Sequence, residues 1–166
     1  MKVLVVYHTT YGHTLQLARA VEAGVKSVAG VEAVFRRAPE FPHVEKELEA
    51  GDGYATKIWK DQKDIQPCTL DDLREADGLL LGSPTRYGNM DAAMKALIDS
   101  TASLWLSGAM EGKPAGVFTS TASTHARSII SSAAGTIPVP MIAETASLAC
   151  RTVGKSASIV RTLDGI

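Results

Sequence analysis

Three short segments gather the residues able to do chemistry in this chain. Thr9-Thr10-Tyr11-Gly12-His13-Thr14 places hydroxyls around a glycine just ahead of an apolar helical stripe. Backbone N–H groups at a helix start, with the positive end of its dipole, form a natural anion site. The segment carries no lysine. No G-x-x-x-x-G-K-[ST] pattern occurs, since Gly108 to Lys113 has another spacing and runs into Pro114. Nucleoside triphosphate chemistry of that type is disfavoured. A neutral, hydroxyl-rich cradle suits a terminal phosphate monoester held without a paired cation. The plainer alternative is that Thr9, Thr10 and Thr14 only cap a helix. Gly51-Asp52-Gly53, a fragment of a dinucleotide fingerprint, follows no strand and reads as a turn.

The second segment, Pro84-Thr85-Arg86-Tyr87-Gly88-Asn89, combines a rigid proline, a planar cation and an aromatic ring. Such a set can line the face and edge of a flat heterocycle, or it is an exposed loop with an incidental Arg and Tyr. The third, Ser120-Thr121-Ala122-Ser123-Thr124-His125, is small in bulk but rich in donors and acceptors. It fits a wall passing close to a polar ring edge, or a solvated connection.

Positioning these segments requires a particular alternation of elements. Val3-Leu4-Val5-Val6 reads as a strand buried on both faces. Leu17, Val21, Val25 and Val28 form the core stripe of a helix ending near Gly30, and Val31 to Arg37 reads as a second strand. Strand, helix, strand in one sheet demands a right-handed parallel crossover. Residues 38–67, punctuated by Pro39, Pro42, Gly51, Gly53 and Pro67, read as a long surface excursion. Thr69 is placed to cap a short helix through Glu75, with Asp71 and Asp72 in its first turn. Gly78 to Gly82 is a central strand, Ser83 to Asn89 a loop, and Met90, Met94, Leu97 and Ile98 the apolar face of the next helix. Ala115 to Phe118 makes a fourth strand ending in the loop Thr119 to Thr124. Ile129-Ile130 suggests a short helix, Ile137 to Ile142 an edge strand with two prolines, and Leu148, Ala149, Val153, Ala157 and Val160 a final helix from about Thr145. The reading is one α/β domain over residues 1–166, a doubly wound parallel sheet of five strands in the order 2-1-3-4-5. Ligands of such sheets bind outside the carboxyl ends of the strands where the winding reverses, and all three segments fall there. Their coincidence at one edge favours a phosphorylated planar cofactor, with flavin mononucleotide (FMN) the obvious member.

Composition removes other classes. The formal net charge is −1, and no basic cluster resembles a nucleic-acid footprint. No apolar run approaches a membrane span, and the N-terminus lacks the pattern of a cleaved signal. Cys68 and Cys150 share no motif, which suits free thiols in a cytoplasmic protein. No metal-ligand spacing is seen.

The same motifs carry a resemblance. Tyr7 to Thr14, Gly82 to Met90, Leu104-Trp105-Leu106-Ser107-Gly108 and Phe118 to Ser123 resemble the tryptophan-repressor-binding-protein family, which comprises flavodoxin-like, FMN-dependent NAD(P)H:quinone oxidoreductases. The likeness runs in order and spacing to about His125, and Pro-Thr-Arg-Tyr-Gly-Asn-Met is its most specific stretch. It implies that Thr9, Thr10, Tyr11, Gly12, His13 and Thr14 hold the FMN phosphate. It implies further that Pro84, Thr85, Arg86, Tyr87 and Gly88 border the ring on one side, and Ser120, Thr121, Ala122, Ser123, Thr124 and His125 on the other. Tyr11 and Trp105 would face the nicotinamide nucleotide and the quinone; read without the resemblance, Trp105 is more often core or interface. The implied reaction passes a hydride from NADH or NADPH to a quinone. The cofactor carries the chemistry, Arg86 offers electrostatic support and no protein nucleophile is required. The implied assembly is a homo-oligomer, a dimer or a tetramer.

After His125 the chain departs from the family. Ala126-Arg127-Ser128-Ile129 stands where a Gly-Gly-Gln-Glu stretch is usual, and a His-His-Gly sequence has no counterpart. Leu148 to Gly154 still resembles the final helix, so the expectation is a flavin site lacking some of its closing elements. Two other classes compete. A one-electron carrier of the flavodoxin type is usually more acidic than a net charge of −1. A non-catalytic binding protein would fail to retain FMN.

Overall fold

The computed structural model describes residues 1–121 and 157–159 of the 166. Strand β1 (Lys2–Tyr7) leads into helix α1 (His13–Lys26) and strand β2 (Glu32–Arg37). Helices α2 (Pro42–Ala50), α3 (Tyr54–Asp61) and α4 (Leu70–Glu75) precede strand β3 (Gly78–Arg86). Then follow β4 (Asn89–Met90), α5 (Ala92–Asp99), α6 (Ala102–Leu106), β5 (Ala115–Ser120) and β6 (Ala157–Ile159).

The strands β2-β1-β3-β5 are parallel neighbours, the order expected of the first four strands. Alternation along β1 divides the core. Val3, Val5 and Tyr7 face Leu17, Ala18, Val21 and Val25 of α1, while Leu4 and Val6 join Leu73, Met94, Leu97 and Leu104 on the opposite face. Burial on both faces explains the unbroken apolar run at the start of the chain. At the helix below β3 the expected cap is present: Thr69 Oγ1 accepts from Asp72 N–H, and Asp72 reaches back to Thr69 N–H.

Several expectations need correction. The α1 stripe stops at Val25; Val28 lies beyond the helix and is exposed, because the chain turns through Gly30 (φ +77°) into β2. Residues 38–67 are not a bare excursion, since α2 and α3 occupy most of them. Helix α2 buries none of its residues fully, so only the half-buried pair Val44 and Leu48 and the Pro42 in its first turn mark it. Helix α3 is held by Trp59, buried beneath the Arg37 guanidinium at 4.6 Å. The expected loop Ser83–Asn89 is largely strand: β3 continues to Arg86 and turns into β4 through Tyr87 and Gly88. Both turn residues have positive φ (51° and 79°), the signature of a two-residue type I′ hairpin. Met90 therefore belongs to β4 rather than to the following helix, which begins at Ala92 with Asp91 as its cap. Ala157, expected in a final helix, lies instead in β6, which pairs antiparallel with the free edge of β5. The expected short helix at Ile129-Ile130, the edge strand Ile137 to Ile142, and the rest of the final helix lie outside the described residues.

Candidate functional site

The parallel order brings the ends of β1, β3 and β5 to one sheet edge, and with them the three segments. Close packing there depends on Gly82: a Cβ at that position would stand 2.1 Å from Cε2 of the Phe118 ring on the neighbouring strand. Thr119, fully buried, ties β5 to β3 by donating from Oγ1 to the Ser83 carbonyl at 2.7 Å.

The loop after β1 turns tightly onto α1. Thr9 is buried, and its Oγ1 accepts from Gly12 N–H at 3.0 Å. Gly12 adopts φ +83°, open to glycine at little cost, and a Cβ there would meet Ile58 of α3 at 3.0 Å. So α3, unrecognised in the sequence, forms the back of this loop. Helix α1 begins at Gly12 with no side-chain cap and no acidic residue in its first turn. The plain capping role for the threonines does not hold here. Thr14 is fully buried, and its Oγ1 has no hydrogen-bond partner among the described residues. Such an unpaired hydroxyl costs about 1–3 kcal/mol. An anion oxygen at the start of α1 satisfies both Thr14 and the exposed end of the helix. The donor set therefore fits a phosphate monoester.

The β3–β4 hairpin closes over this loop. Arg86 donates from Nη2 to Thr10 Oγ1 at 3.0 Å and from Nη1 to the Thr85 carbonyl at 3.1 Å. The first two segments thus meet directly. Pro84 and Thr85 are half-buried, and Thr85 Oγ1 is a second buried hydroxyl without a partner among the described residues. Tyr11, His13 and Tyr87 are exposed, and the half-buried Gly88 completes the hairpin turn. Trp105, on α6, is exposed beside the buried Leu104, so it is not a core residue. Of the third segment, Ser120 ends β5 and Thr121 follows it. Ala122, Ser123, Thr124 and His125 lie outside the described residues.

A buried ionic cluster adjoins the first loop, and no sequence motif marks it. His8 Nδ1 stands 2.5 Å from Asp91 Oδ2, and Nε2 stands 3.0 Å from Glu40 Oε2. Burial alone would lower the imidazole's pKa. The hydrogen bonds to Asp91 and Glu40, with the attraction of both carboxylates, outweigh it and carry the value up to about 9. Burial opposes ionisation of Glu40, yet the hydrogen bonds from His8 and from Phe41 N–H hold it below the usual range. Among the described residues no group of side chains is arranged to hold a metal ion.

Comparison with known proteins places the chain in a family. The family model described as NADPH-dependent FMN reductase matches residues 1–143. A protein of Syntrophobacter fumaroxidans named NAD(P)H dehydrogenase (quinone) is 46% identical over 125 residues, 75% of this chain and 60% of the relative. The quinone-oxidoreductase QR2 of Triphysaria versicolor is 43% identical over 121 residues, 72% of this chain and 55% of the relative. The chain thus spans about 60% of the length of these curated relatives. In structure it resembles the flavodoxin, WrbA-like protein of Agrobacterium tumefaciens, with a TM-score of 0.61 at 22% identity over 85% of this chain and 76% of the other, a likeness of fold. With the family model covering most of its length, the chain belongs to the NADPH-dependent FMN reductase family.

Proposed function

We propose that this chain binds FMN at the shared edge of β1, β3 and β5 and serves in the two-electron transfer from NAD(P)H to a quinone. The observation that carries the reading is the start of α1: a long helix without a side-chain cap, beside a buried Thr14 hydroxyl with no protein partner among the described residues. When bound, FMN supplies the redox chemistry, accepting and passing on two electrons, and the protein supplies position and charge. Thr9 shapes the turn that presents the Gly12–Thr14 backbone, and the Thr14 hydroxyl donates to a phosphate oxygen. Thr10 and Arg86 hold the hairpin against this loop, leaving the Thr85 hydroxyl for a ring-edge atom. Arg86 offsets negative charge that develops on the ring. Ser120, at the end of β5, and Thr121 after it stand at the same sheet edge for the other side of the ring. Tyr11, Tyr87 and Trp105 supply exposed aromatic faces for nicotinamide and quinone to stack upon in turn. The names of the two relatives support both substrates. The exposed Leu106, beside Trp105, suits a contact between subunits of a dimer or tetramer.

The test is anaerobic mixing of the FMN-loaded protein with NADH or NADPH, followed by a quinone. Rapid bleaching of the flavin and its recovery on quinone addition are expected. Binding of FMN without bleaching would leave a carrier, and failure to retain FMN would leave a binding protein without redox function.

A further inference from the structure

The cradle for the phosphate adjoins a cluster that the proposed electron transfer does not use. His8 follows β1 and immediately precedes Thr9, with its side chain 12% exposed. Its partners Glu40 and Asp91 are 9% and 7% exposed. A neutral imidazole donates from one nitrogen only, whereas both nitrogens of His8 face carboxylate oxygens at hydrogen-bond distance. The ring is therefore an imidazolium, consistent with its raised pKa of about 9.

Each partner belongs to a different part of the fold. Glu40 lies between β2 and α2 and accepts Phe41 N–H at 2.9 Å. Asp91 caps α5 by accepting Met94 N–H at 2.9 Å, and its own N–H donates to Ser83 Oγ on β3 at 3.0 Å. His8 N–H donates to the Gly82 carbonyl at 2.8 Å. From β2, Arg37 acts on Glu40 through space, and from β3 the contacts on His8 and Asp91 are the neutral Gly82 carbonyl and Ser83 hydroxyl. One cation and two carboxylates thus adjoin, through His8, the loop proposed to receive a dianion. Without the cation, two buried negative charges would repel that ligand.

We infer that His8 is a positioning residue of the phosphate site: as a cation clamped by Glu40 and Asp91, it fixes the Thr9–Thr14 loop to the start of α5 and offsets the charge of these two carboxylates. This rests on the reading of that loop as the FMN phosphate cradle. Riboflavin, which shares the ring but lacks the phosphate, separates the two ideas.

The experiment titrates the purified chain with FMN and with riboflavin, following flavin fluorescence, for the wild type, His8→Gln and the double variant His8→Gln/Glu40→Gln. Circular dichroism checks that each is folded. His8→Gln leaves two uncompensated carboxylates, and a loss of FMN affinity of about tenfold is expected, with riboflavin affinity little changed. The double variant restores the original charge balance and recovers most of the FMN affinity. A second measurement needs no variant: the ratio of FMN to riboflavin affinity in the wild type falls as pH rises through about 9, where His8 loses its proton. Three results overturn the inference: unchanged FMN affinity in His8→Gln, a loss equal for both flavins, or a loss that Glu40→Gln fails to recover. A wild type that binds FMN no more tightly than riboflavin at neutral pH overturns the cradle reading itself.

Discussion

At the scale of single residues, Thr14 and His8 carry opposite lessons. The Thr14 hydroxyl is buried and without a partner among the described residues, so in the free protein it is a cost, and with a phosphate in place it is a donor. Thr14→Val keeps the shape and removes the hydroxyl. The expected outcome is a loss of FMN affinity of about tenfold, with the free protein equally stable or stabilised by up to about 1 kcal/mol; flavin titration and urea unfolding check the two halves. A free protein destabilised by the change would mean that the hydroxyl already has a protein partner. His8 gives a stability prediction. Its folded pKa of about 9 lies above the ordinary 6.5, so its contribution is complete below about pH 6.5 and is lost as pH rises through 9. Up to about 3 kcal/mol is at stake. Thermal unfolding at pH 7 and pH 10 should show a larger loss for the wild type than for His8→Gln, and equal losses would refute it. The hydroxyls of the first loop were legible because their neighbours in sequence define the loop. His8 was not, because its partners Glu40 and Asp91 are 32 and 83 residues away.

At the scale of elements, regular patterning decided what was readable. The buried strands β1 and β3 and the capped α4 announced themselves through apolar runs and capping chemistry. Helix α2 was hidden because it buries no residue fully, and α3 because its anchor is a single Trp59 whose partner Arg37 lies on β2. The hairpin after β3 was hidden for another reason: its turn uses Tyr87 at φ 51°, where Asn or Gly would have signalled it. Gly82 shows how much a strand interior can hold without any sequence signal, since its missing side chain is the space that the Phe118 ring fills. Gly82→Ala should cost about 1–3 kcal/mol in urea unfolding, because a backbone-anchored Cβ cannot move away from the ring. Phe118→Leu in the same chain should recover part of that loss. A single variant as stable as the wild type would show that the ring can move aside.

At the scale of the whole molecule, four parallel strands in the order β2-β1-β3-β5 set the chemistry by setting an edge. The same winding that produces the order delivers the hydroxyls of the first loop, the Thr85 and Arg86 end of β3 and the Ser120 end of β5 to one place. That convergence was readable from strand order alone. The pairing of Ala157–Ile159 with β5 was not, because an antiparallel strand at an open edge needs little sequence pattern of its own. The central claim is that this edge takes FMN through its phosphate. Its most direct test is equilibrium titration of the purified chain with FMN and with riboflavin at neutral pH. The account requires saturable binding of one FMN per chain and an affinity for riboflavin at least about tenfold weaker, the difference due to the charge-assisted contacts of the phosphate. Equal affinities for the two flavins, or no binding of FMN at micromolar concentrations, would contradict it.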